Sequence, residues 1–141
     1  MLLDLSSLKL AVESLENAIA ISKPSALQQF DEKTKPVIKA GVIQNFEFTY
    51  EISHKMLKRY LEMTSPNPTE IAEMPFPDII RTGSEAGLLK NSWDAWKKYR
   101  TARGTTSHAY DEKKADDVLN IVPDFLLEAK YLLAELEKRN E

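Results

Sequence analysis

Apolar residues recur at steps of three and four through almost every long segment of this chain, and no stretch alternates convincingly at period two. That rhythm limits the fold more than any other feature. Steps of three and four stack side chains on one face of an α-helix, whereas a strand face repeats at every second residue. Leu5, Leu8, Val12, Leu15 and Ile19 mark an amphipathic helix over roughly residues 5–22, ended by Pro24. Ile43, Phe46, Tyr50, Leu57 and Leu61 form a second stripe over roughly 37–63, broadened by Val42, Thr49, Ile52 and Met56. So wide an apolar face predicts contact with more than one neighbour. Glu51 and Lys55 are spaced as an i,i+4 ion pair on its wet side.

Prolines divide the rest. The segment between Pro24 and Pro36 is a connector with room for one helical turn, and Pro66, Pro68, Pro75 and Pro77 predict a loop. A short helix follows over about 78–89, with Gly87 at its fraying end. Asn91 or Ser92 can cap the next helix, which carries Trp93, Trp96 and Tyr99 toward His108. These aromatics fit a core or a dimer interface better than base stacking, with Trp96 expected to be partly interfacial. Asp111 caps a last helix to about Arg139, with a stripe through Val118, Val122, Phe125, Leu126, Leu132, Leu133 and Leu136. Pro123 lies inside it and should kink or split it. The expected architecture is all-α: one domain over 1–141, an up-down bundle of four long helices plus a short one. A chain of 141 residues can bury one such core.

Composition narrows the function classes. There is no cysteine, which excludes disulfides and thiolate metal sites. With only two histidines, a transition-metal site has little to build on. Four glycines form no phosphate-cradling loop, so nucleoside-triphosphate chemistry within this chain is not expected, and the reading calls for no cofactor. No apolar run approaches the ~18 residues of a membrane span, and the N-terminal residues lack a secretory pattern. A cytoplasmic protein without membrane contact is the expectation. The formal net charge of −3 argues against a broad nucleic-acid coat. Residues 90–114 are different: seven basic residues stand there against three acidic ones.

That basic segment contains "RTARGTTSHAY", residues 100–110. Arginine presents a planar, permanently charged fork suited to phosphate oxygens. Histidine exchanges a proton near neutral pH. Arg103 and His108 together suit phosphodiester chemistry: histidine removes a proton from a ribose 2′-hydroxyl and arginine holds the charge growing on phosphorus. The 2′-hydroxyl is then the internal nucleophile, which makes RNA the substrate. On one regular helix the two residues point roughly 140° apart, whereas Arg100, Arg103 and Ser107 share a face. Either the helix ends near Gly104, or a second subunit completes the site. Arg100 and Ser107 are candidate phosphate contacts. A structural role, with basic residues satisfying a helix C-terminus, is the competing interpretation. Glu47 and Glu51 share a face and read as solvated carboxylates, and His54 reads as structural.

"RGTTSHAYDE" resembles the R-x4-H-x-Y motif of the HEPN superfamily, in the branch of nucleotidyltransferase substrate-binding proteins that includes the HepT-type toxins. "GVIQNFEFTYEISHKMLKRYL" (41–61), "IIRTGSEAGLL" (79–89) and "DLSSLKLAVESLENAI" (4–19) are similar to that family's other segments, in the same order. The resemblance implies a homodimer and a minimal nucleotidyltransferase as partner. In the toxin–antitoxin version it implies a metal-independent ribonuclease with Arg103 and His108 in a cleft shared by two subunits. It also implies Tyr110 as the acceptor of AMP from the partner. Gly104 departs from the pattern, since the family commonly has asparagine directly after the motif arginine. A plain helical interaction module, with the motif incidental, is the alternative.

Overall fold

The computed structural model describes residues 2–140 and is all-α, with no strand among the described residues. Seven α-helices follow in order: α1 (Ser6–Ser22), α2 (Pro24–Leu27), α3 (Thr34–Thr64), α4 (Pro68–Ala72), α5 (Phe76–Glu85), α6 (Trp93–Thr105) and α7 (Glu112–Arg139). A 3-10 turn, Thr106–His108, continues α6 toward α7. The 31-residue α3 is the central element. It packs along α1 and α7, and α6 lies on α7.

Local chemistry accounts for the boundaries. Helix α3 begins before residue 37 because Pro36 falls in its first turn, where a missing N–H costs nothing. The stretch expected to be a loop contains α4. There Pro68 opens a single turn and the Asn67 side chain accepts from Glu70 N–H at 3.4 Å. Helix α5 ends in a Schellman arrangement: Leu88 N–H donates to Gly83 O and Gly87 N–H to Ser84 O, with Gly87 at φ 77°. Ser92 occupies the N-cap of α6, but its side chain makes no capping bond. Asp111 does cap α7, accepting from Lys114 N–H at 3.2 Å. Pro123 does not split α7, which is continuous over 28 residues and held by an apolar face that includes Val118, Val122, Phe125, Leu132 and Leu136.

The core is aromatic at its centre. Phe125 on α7 meets Phe46 edge-on at 5.2 Å, Tyr99 at 5.3 Å and Trp96 at 5.9 Å between ring centroids. Such pairs add to area burial when rings tilt rather than stack squarely. Trp96 is fully buried in this cluster, and its expected interfacial role is overturned. Its indole N–H has no partner among the described residues. At the other end of α7, Asn140 pairs with both backbone polar groups of Leu3, each bond 2.7 Å. This ties the N-terminal segment to the end of the last helix.

Candidate functional site

Arg103 projects from the last turn of α6 toward α3. Its Nε donates to Glu51 Oε1 at 2.9 Å, and its Nη1 lies 3.5 Å from Glu47 Oε2. The two carboxylates are one helical turn apart on α3, so both reach one guanidinium. Thr106 completes the arrangement. Its hydroxyl accepts from Arg103 Nη1 at 3.0 Å and donates to the Arg103 carbonyl at 2.7 Å. Arg103 is thus held by two acids and by the threonine that starts the 3-10 turn, while about a third of its side chain stays exposed. Glu51 is engaged with Arg103 instead of Lys55, the partner its spacing predicts.

Helix α6 ends near Gly104, as expected, one residue beyond it. It runs to Thr105 and then tightens into the 3-10 turn that ends at His108. A Cβ at Gly104 would meet nothing within 4 Å, so a side chain there would point into open space. The Ser107 hydroxyl donates to Gly104 O at 3.4 Å. His108 is exposed, and its ring centroid lies 6.2 Å from that of Tyr110. No hydrogen bond or ion pair joins Arg103 to His108 among the described residues. Tyr110 is 87% exposed. Tyr50 and Tyr99 lie in the core, where burial pushes both hydroxyls up to about 12. Tyr110 is the most exposed of the chain's five tyrosines.

One turn before Arg103, the Arg100 guanidinium lies over the Phe76 ring, 5.1 Å from its centroid. His54 meets the same ring edge-on at 4.6 Å. Burial holds the His54 imidazole below the ordinary histidine range; Glu51 opposes this, while Lys58 and Arg100 add to it. The basic segment of α6 and the acidic turn of α3 therefore form one continuous polar face. The sequence pairs Glu47 with Glu51 but does not reveal their shared partner, and it does not reveal the bonds between Thr106 and Arg103. The signal available was the i,i+4 spacing of two acids on a helix that also faces the core. No group of three or more acidic or histidine side chains suited to a metal ion occurs among the described residues.

Residues 3–138 match the model of the family described as nucleotidyltransferase substrate binding protein like. The chain belongs to that family. One curated relative, named "Probable ribonuclease HepT" from Haemophilus influenzae, is 38% identical over 140 residues, covering 99% of this chain and 95% of the relative. A solved structure from the same organism has a TM-score of 0.89 and 37% identity, covering 95% of this chain and 99% of that one. Its description assigns it the fold of a substrate binding domain of a nucleotidyltransferase. The family resemblance expected from the motif and the flanking segments thus extends along nearly the whole chain. In this chain the all-α fold sets the polar face on the side of α3 that turns toward α6.

Proposed function

We propose that this chain is the HEPN-type partner of a minimal nucleotidyltransferase, one helical-bundle domain over residues 1–141 that works as a homodimer and cleaves RNA without metal. Arg103 and His108 are its catalytic pair, and Arg100 and Ser107 contact phosphate. Two copies bring an arginine and a histidine to one cleft; within one copy no hydrogen bond or ion pair joins Arg103 to His108 among the described residues. The His108 imidazole takes the proton from a ribose 2′-hydroxyl. The freed oxygen attacks the adjacent phosphorus, the bond to the next nucleotide's 5′-oxygen breaks, and that oxygen leaves with a proton. The products are a 2′,3′-cyclic phosphate and a new 5′-hydroxyl. Arg103 steadies the charge on the phosphoryl oxygens.

Tyr110 is the off-switch in this reading. The partner enzyme supplies ATP; the Tyr110 oxygen attacks its α-phosphorus and pyrophosphate leaves. The bound AMP then adds negative charge and bulk beside the motif, repelling RNA. The observation that carries the proposal is the turn between α6 and α7, where an open Tyr110 hydroxyl stands beside an exposed His108.

One observation favours a second reading, a non-catalytic interaction module. Glu47 and Glu51 already neutralise Arg103, and Gly104 supplies no side chain to orient a phosphate. Cleavage of RNA in excess chelator decides between the two. Wild type should cleave, and His108→Ala should lose at least about a hundredfold in rate, the usual worth of a positioned acid–base group. Equal rates would remove His108 from the chemistry, and no cleavage by wild type would favour the module. With the cognate nucleotidyltransferase and ATP, wild type should gain the mass of AMP and Tyr110→Phe should not. Undiminished labelling of that variant would put the acceptor elsewhere.

A further inference from the structure

A second surface, apolar at its centre and flanked by charge, continues from Glu51 along α3. Between α1 and α3 lies an open groove of about 550 Å³ whose lining includes Phe48, Glu51, Ile52, Lys55 and Lys58. Three features set it apart from an ordinary helix surface. Phe48 is 62% exposed, although an aromatic ring in water forgoes the burial that makes aromatics useful. Lys55 and Lys58 form no ion pair among the described residues, and Glu51, the acid spaced to meet Lys55, is bound to Arg103 instead. The groove also shares Glu51 with the motif arginine, so it borders the residue proposed to hold the scissile phosphate.

An exposed ring flanked by free ammonium groups is the arrangement that binds single-stranded nucleic acid. A base stacks on the ring, whatever its identity, and cations track the backbone. From Glu51 to Lys58 is seven residues, about 10 Å along a helix axis, a run that suits a short stretch of extended strand. We propose that this groove holds the single-stranded RNA next to the scissile phosphate, with a base stacked on Phe48 and backbone phosphates on Lys55 and Lys58. The inference rests on the ribonuclease reading and adds a substrate subsite to it. A second copy of this chain suits the groove less well. A twofold contact sets one patch against itself, and this patch offers the lysines no free acid, since its one carboxylate, Glu51, is already engaged with Arg103.

The test is fluorescence anisotropy of wild-type protein with a labelled 2′-O-methyl oligoadenylate 12-mer, which has no 2′-hydroxyl to attack. Phe48→Ala should bind about tenfold more weakly, and Phe48→Trp should bind at least as well as wild type. Lys55→Ala/Lys58→Ala should also weaken binding and should flatten the dependence of log affinity on log salt by about 1.4, the expectation for two lost phosphate contacts on a single strand. With unmodified RNA, Phe48→Ala should raise KM and leave kcat unchanged, since the stacked base is bound alike before and during reaction. The groove is excluded if wild type does not bind the 12-mer. It is equally excluded if the variants bind within twofold of wild type with the same salt slope, or if Phe48→Ala alters only the oligomeric state, which would give the face to a second copy. Binding of the 12-mer by a protein that never cleaves unmodified RNA would sink the nuclease reading and leave the groove standing.

Discussion

The two ends of α6 use the same kind of contact for different ends. Before its first turn, Glu128 from α7 is fully buried and accepts from the backbone N–H groups of Lys90 at 2.6 Å and Asn91 at 3.1 Å. At its last turn, Glu47 and Glu51 from α3 bind the side chain of Arg103, in partial contact with water. A backbone donor cannot swing away and a buried carboxylate has no competing water, so the first contact fixes the chain's path. A guanidinium at the surface can exchange one oxygen partner for another, a phosphate included, at little cost. Binding chemistry is therefore expected at the end where the carboxylates hold a side chain.

The sharpest way to break that comparison is at the buried end. Trp96→Ala should lose about 3–5 kcal/mol in urea unfolding, the usual cost of emptying a large aromatic site. A loss below about 1 kcal/mol would mean that the ring is not the anchor of α6.

Next in size is Glu128→Gln, which keeps one acceptor and turns an amide donor toward the other N–H. It should cost about 1–3 kcal/mol near neutral pH. Burial raises the Glu128 carboxyl above its ordinary 4.5, so the folded protein holds this proton more tightly than the unfolded chain does. Its contribution is then fullest below the ordinary value and is lost as pH rises through the raised one. The deficit of the glutamine variant should accordingly be larger at about pH 4 than at about pH 8. A deficit that grew toward alkaline pH would reverse the sign of this account.

The smallest effect belongs to the exposed end. Arg103→Ala should change unfolding stability by less than about 1 kcal/mol, as for other exposed ion pairs, while abolishing RNA cleavage. Parallel losses in both measurements would make Arg103 a structural residue and erase the contrast.

Helix positions were legible because they depend on local signals. The stripe from Leu5 to Ile19 ended by Pro24 places α1 at Ser6–Ser22, and the Asp111 cap places the start of α7. Prolines misled where their position in a helix mattered more than their presence: Pro68 begins α4, and Pro123 sits inside an unbroken α7. The candidate site was half legible. Its motif residues are near neighbours in sequence, whereas Glu51 lies 52 residues from Arg103 and the pairing exists only once α3 and α6 are packed. Glu128 did leave a trace. It stands three residues after Phe125 and four before Leu132, a charged residue at a core spacing.

The pairing of Asn140 with Leu3 bears on how the molecule can be handled. It gathers both ends of the described chain at the C-terminal tip of α7, while Tyr110 precedes that helix's first residue by two positions. A 28-residue helix is about 42 Å long. A fluorophore or surface tether attached at either end would therefore sit roughly that far from the motif, leaving the exposed Tyr110 unobstructed.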